Sequence, residues 1–257
     1  MPRFAANLTM MFDEWTFLDR FQAAAEAGFH AVEYLFPYAE TPEAIAQRLQ
    51  RHGLTQALFN APPGDWSAGE RGLAALPGRR DEFRASVGTA LVYAAATGVK
   101  RLHVMSGSAD RRDPANVAAF EDSLRFACDA AGEAGLYIEI EPINSLDMPG
   151  YFLNDFGFAV EIIERLARPN LKLQYDIYHR QILHGDILKS LEKMMPLIGH
   201  IQTASVPGRN EPGTGELNDF RIFEAIDALN YQGFVGCEYR PANGTLAGLS
   251  WMGRASR

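Results

Sequence analysis

Eight times along the chain a short β-branched or aromatic run gives way to a helical stretch, at intervals of about thirty residues, and few folds accommodate that alternation. The extended runs are Phe4–Met10, Ala31–Phe36, Leu54–Asn60, Arg101–Ser106, Leu136–Asn144, Leu171–Ile177, Gly199–Ala204 and Phe234–Tyr239. Helical spacing covers Asp13–Ala27, closed by Gly28, and a segment to His52 that Thr41 caps, with Pro42 in its first turn and Gly53 after it. It returns at Asp81–Thr97, Pro114–Ala134, from Asn154 or Asp155 to Ala167, Asp186–Met195 and Asp219–Leu229, leaving at most a short helix in the tail. The expected fold is α/β, a single (β/α)8 TIM barrel over residues 1–257. A doubly wound open sheet is the rival, but no GxGxxG joins a strand to a helix.

Residues 61–80, with APPGD and LPGRR at their ends, show no clear period; a loop of that length in a compact domain points to function or mobility. The formal net charge of -8 argues against nonspecific binding to nucleic acid or an anionic membrane. No apolar run is long enough for a transmembrane helix, and the amino terminus has no signal-peptide core. Two cysteines, Cys128 and Cys237, make no disulfide framework, so a cytoplasmic setting is expected.

In barrels of this kind chemistry sits at the carboxyl ends of the strands. There the fifth strand carries Glu141, the sixth Asp176, the seventh Gln202 and the eighth Glu238. Period-two parity pairs Gln174 with Asp176, His200 with Gln202 and Gly236 with Glu238 on one inward face. Three converging carboxylates repel one another at low effective dielectric, and a hard divalent cation relieves the conflict. An all-oxygen donor set suits Mg²⁺ or Mn²⁺, with Zn²⁺ or Co²⁺ also compatible. Glu139, two residues before Glu141, falls on the same face and needs a buried partner, for which Arg101 and Lys172 are the candidates.

Several motifs carry a family resemblance. EPIN at 141–144, QYDIYH at 174–179, GHIQ at 199–202, EPGTGE at 211–216 and GCEYRP at 236–241 resemble the hydroxypyruvate isomerase family of xylose-isomerase-like barrels. The opening MPRFAANLTMMF, FPY at 36–38 and GDWSAGERGLAALPGR at 64–79 resemble it too, so the match spans nearly the whole chain. The resemblance implies metal ligation by Glu141, Asp176, Gln202 and Glu238, with Glu141 and Glu238 also the acid/base pair. It implies interconversion of hydroxypyruvate and tartronate semialdehyde through an enediolate. The 2-oxo-tetronate isomerase branch is a near relative, and the EPIN and QYDIYH forms tilt the reading toward hydroxypyruvate. Arg240 stands where the family typically has Lys.

Other residues are expected to support that chemistry. His179, three residues past Asp176, is placed to hydrogen-bond a substrate oxygen; Arg209 and Arg240 to hold its carboxylate; Glu70, with Arg71 and Trp66, to form part of a lid. His200 and His103 are expected to support the shell around the site. The resemblance implies a small hydroxy-oxo acid as the partner, with no nucleic acid or membrane expected, and outer-helix apolar surface is compatible with a homo-oligomer. A ketose 3-epimerase would use the same metal and paired Glu, with a His favoured in place of Gln202. A DNA-repair endonuclease would call for a His-rich multi-metal site and a basic face. A noncatalytic binding barrel leaves the costly carboxylate cluster without purpose.

Overall fold

Local signals set the helices before any packing is considered. Thr41 accepts a hydrogen bond from the Ala44 N–H, Pro42 fills the first turn, and Gly53 ends the helix Pro42–His52 at φ 64°. Asp113 and Asp155 cap Pro114–Glu133 and Phe156–Leu166 in the same way. These helices carry apolar faces that must be buried, and the strands between them supply the complementary surface.

The computed structural model describes residues 1–255, in which eight parallel strands close into a barrel. They are β1 Arg3–Asn7, β2 Ala31–Glu33, β3 Thr55–Asn60, β4 Arg101–His103, β5 Tyr137–Ile140, β6 Leu171–Asp176, β7 Ile198–Thr203 and β8 Phe234–Cys237. Each pairs with the next, and β8 returns to β1 with Phe4 opposite Val235. The TIM barrel expected from the alternation is therefore present. Among the described residues no helix is long and apolar enough to cross a membrane.

Several boundaries differ from the expectation in one direction: strands stop sooner. β5 ends at Ile140 and β8 at Cys237, so Glu141 and Glu238 stand one residue beyond the ladder. After Glu141 comes Pro142, which has no N–H to continue the hydrogen-bonding. The first helix begins at Phe17 rather than Asp13, because Met10 and Met11 turn their N–H groups back onto the Asn7 carbonyl. The helix over Ile177–Leu183 is not among those expected, since IYHRQIL has strand-like residues at its start; the Asp176 side chain caps it. The tail holds two short helices, and Trp251 packs edge-on against Phe4 of β1, ring centroids 4.9 Å apart.

Two glycines make room for charge inside the barrel. A Cβ on Gly199 would collide with the carboxylate of Glu139, and one on Gly236 with that of Glu33. Glu139 finds its partner in Arg101, Nε to Oε1 at 3.4 Å. Burial pushes the Glu139 carboxyl up to about 7, with Arg101, His200 and Lys172 pulling the other way.

The long segment after β3 is ordered by its own contacts. Gly72 bridges to Ser106 and donates its N–H to the Pro63 carbonyl, while Trp66 packs on Phe36.

Candidate metal and substrate site

Asp176 shows how the barrel rim builds a site. As the last residue of β6 it accepts the Tyr178 N–H at 2.7 Å through Oδ1, and it lies 3.4 Å from the His179 nitrogen. One carboxylate oxygen is thus used to start the helix Ile177–Leu183, and the other, Oδ2, is buried with no hydrogen-bond partner. That helix turns His179 back over the rim. Glu141 and Glu238 approach from β5 and β8, and each of the four residues offers an oxygen or nitrogen within 4.8 Å of the others'. All four are buried.

Burial raises the Glu141 carboxyl, and the neighbouring Glu238 and Asp176 carboxylates raise it further. Burial raises Glu238 against the opposing pull of Arg209, with Asp176 and Glu33 adding to the rise. Asp176 also rises through burial, opposed by Arg209. Orphaned oxygens on Glu141 and Asp176 together with mutually repelling carboxylates form a donor set suited to a divalent cation.

Gln202 lines the same cavity, and its amide is held from two sides. Its Nε2 donates to Glu33 Oε1 at 2.8 Å, and its Oε1 accepts from Gln174 Nε2 at 2.7 Å. Glu33 also lies 2.6 Å from His200 Nε2 and accepts from Asn7 at 3.0 Å. His200 therefore supports the shell through Glu33, which is not among the residues expected at the site. A single carboxylate in the otherwise apolar AVEYLF was the signal; it is the feature that drew attention to Glu139. His103 lies 3.8 Å from Glu141, and burial, with His200 nearby, depresses its ring to about 3, so it stays neutral.

Arg209 reaches the cluster from the loop after β7. Its Nη2 lies 2.6 Å from Glu238 Oε2 and 3.7 Å from Asp176 Oδ2, and its Nη1 lies 3.3 Å from Asp147. Its guanidinium also lies over the Tyr178 ring, whose hydroxyl donates to Asp147. Burial works against the Arg209 charge but is outweighed by Glu238, Asp176, Glu141 and Asp147, so it remains protonated.

The cavity these residues enclose measures about 450 Å³ and is also walled by Tyr34, Trp66, Arg71, Met105 and Arg240. Arg240 is exposed at its mouth. Glu70, expected in a lid over the substrate, is not part of the wall: its carboxylate pairs with Arg79 and accepts the Asp65 N–H, fastening the loop to itself. Its neighbour Arg71 faces the cavity instead. The Arg71 guanidinium lies 3.9 Å from the Trp66 ring centroid and donates through Nη1 to the Trp66 and Glu70 carbonyls, with no acidic partner among the described residues.

A closed parallel barrel with carboxylates converging at its carboxyl rim is a TIM barrel with an acidic site, and residues 21–255 match one family of such barrels: the chain belongs to the xylose isomerase-like TIM barrel family. Within it the chain groups with isomerases. It is 54% identical over 254 residues to a 2-oxo-tetronate isomerase of Cupriavidus necator, covering 98% of each chain. It is 42% identical over 258 residues to the hydroxypyruvate isomerase of Escherichia coli, again covering 98% of each. A solved structure from Brucella melitensis, titled AP endonuclease, family 2, superimposes with a TM-score of 0.96 at 48% identity over 99% of both chains. A 3-keto-D-glucoside 4-epimerase from E. coli shares the fold, at a TM-score of 0.81 and 23% identity. With full-length relatives of both isomerase names, this chain is an isomerase.

Proposed function

We propose that the protein moves a carbonyl between C2 and C3 of a short hydroxy-oxo acid, using a divalent metal ion and the paired carboxylates Glu141 and Glu238. The observation that carries this reading is the convergence of those two groups and Asp176, with ligand atoms within 4.8 Å of one another, beside the cavity that Glu141 and Glu238 line, an oxygen of Glu141 and one of Asp176 having no hydrogen-bond partner. Glu141, Asp176 and Glu238 would hold the ion, with Gln202 as the neutral fourth candidate. The bound ion supplies Lewis-acid stabilisation of negative charge on adjacent substrate oxygens.

The chain's own residues do the rest. One of the two glutamates takes the proton from the hydroxyl-bearing carbon beside the carbonyl, the hydroxyl proton passes to the former carbonyl oxygen, and the facing glutamate returns a proton to the neighbouring carbon. Burial of the pair excludes competing water. Arg71 is the guanidinium best disposed for the substrate carboxylate, because Arg209 is already engaged by Glu238 and Asp147.

Hydroxypyruvate and 2-oxo-tetronate share the carboxylate and the C2–C3 unit on which this chemistry acts. The 54% identity to a 2-oxo-tetronate isomerase supports the four-carbon acid as the better substrate, with hydroxypyruvate as the three-carbon alternative. The two buried, free cysteines are consistent with a reducing compartment.

Assaying both acids, a ketohexose and a duplex with an abasic site, each with and without chelator, tests the reading. Turnover of at least one acid, lost on chelation and recovered with Mn²⁺ or Mg²⁺, is expected. Cleavage of the duplex without acid turnover would sink it.

A further inference from the structure

Asn144 follows Glu141 by three residues and is fully buried. Its Oδ1 accepts the backbone N–H groups of Leu146 at 3.0 Å and Asp147 at 2.9 Å. Backbone nitrogens can only donate, so these two contacts fix which end of the amide is oxygen. The Nδ2 end therefore points the other way, to Nδ1 of His179 at 2.7 Å. The backbone N–H of Asn144 is directed at the same ring nitrogen, at 3.4 Å. A ring nitrogen facing two donors can serve only as an acceptor.

We infer that Asn144 is a positioning residue that locks His179 as the neutral Nε2–H tautomer, so that His179 serves the site as a hydrogen-bond donor and not as a metal ligand. His179 is nine-tenths or more buried and lines the cavity, with Nε2 3.7 Å from Asp176 Oδ2. A nitrogen that carries a proton has no lone pair for a cation. Of the four residues that converge at the rim, the three carboxylates remain as cation donors, and His179 presents an N–H to a substrate oxygen or to Asp176.

Asn144→Asp is the decisive substitution. An aspartate retains an oxygen for the Leu146 and Asp147 N–H groups, so the local turn survives, but it presents a second oxygen to His179 Nδ1. The proton should move to Nδ1 and leave Nε2 bare. Two-bond proton–nitrogen correlation spectra of the full-length protein labelled with ¹⁵N-histidine read the tautomer directly, with His179→Gln used for assignment. Wild type should show Nδ1 unprotonated and Nε2 protonated, before and after addition of Mg²⁺ or Zn²⁺; Asn144→Asp should show the reverse or a doubly protonated ring.

An Nδ1–H ring in wild type, loss of the Nε2 proton on metal addition, or an unchanged spectrum in Asn144→Asp would each overturn the inference. The spectra do not depend on the isomerase reading. If that reading holds, Asn144→Asp should also lower kcat by roughly a hundredfold or more, as a wrong tautomer does in other enzymes. Loss of turnover in wild type would sink the reading and leave the tautomer assignment standing.

Discussion

Arg209 Nη2 lies 2.6 Å from Glu238 Oε2, so one of the two proposed acid/base groups is charge-paired with a loop residue rather than with another strand. The same guanidinium lies 3.7 Å from Asp176. Arg209 offsets the repulsion among the rim carboxylates, and Asp147 and Tyr178 hold it in place. Replacing it with Met should destabilise the chelator-treated protein by about 3 kcal/mol, the scale of an opened buried ion pair. Thermal melts with chelator and with excess Mn²⁺ check this: the ion should restore more stability in Arg209→Met than in wild type.

Glu141→Gln and Glu238→Gln each remove a proton carrier without changing side-chain volume. Each should lower kcat by about 10²–10⁴-fold, the usual worth of a positioned acid or base. Circular dichroism should be unchanged, because neither residue is part of a strand ladder. Proton exchange at the substrate carbon in D₂O, followed by NMR, separates the roles. The variant that still exchanges without isomerising has kept its first base. Near-normal turnover in both would defeat the two-carboxylate scheme.

Arg71 presents a guanidinium stacked on Trp66 with no carboxylate of its own chain to satisfy it. Arg71→Met should raise KM for the acid substrate by about tenfold to a hundredfold, the worth of a hydrogen bond to a charged group, with a smaller effect on kcat. Steady-state kinetics on Arg71→Met and Arg240→Met distinguish them: Arg240, exposed at the mouth, should matter less.

Glu139 and Arg101 make stability depend on pH. Burial raises the Glu139 carboxyl from 4.5 to about 7, so between those values the folded chain holds a proton that the unfolded chain has released. Its contribution is therefore fully present below about pH 4.5 and is lost as pH rises through 7. Above pH 7 the charge leans on Arg101, at 3.4 Å. Arg101→Met should lower the melting temperature more at pH 8 than at pH 5, by about 2 kcal/mol of stability at the higher pH given the partial exposure of Arg101. Adding Glu139→Gln should remove that difference. An equal effect at both values would show that the pair does not control it.

The residues legible in advance were those that announce themselves by breaking a local pattern. Glu141, Asp176 and Glu238 stood out as charges at the ends of apolar runs, and all three meet at the rim. Arg101 was one of two cations proposed for Glu139, and it is the one in contact. Glu33 breaks the pattern in the same way and was missed, since its partners His200 and Gln202 lie 167 and 169 residues away along the chain. Glu70 and Arg71 were placed together in a lid; which one faces the cavity was settled by Arg79, which claims the Glu70 carboxylate.

By itself the sequence determined the alternation of strand and helix, the caps at Thr41 and Asp155, and the charged residues placed at the strand ends. Those are local matters, governed by the side-chain period, by backbone hydrogen bonding within a few residues and by proline's missing N–H. The tertiary structure decided which oxygens are left unpartnered, which guanidinium is already spent, and which nitrogen of His179 carries the proton. Those outcomes depend on donors and acceptors that only barrel closure brings within 3 Å of one another, as with the Asn144 amide and the His179 ring at 2.7 Å.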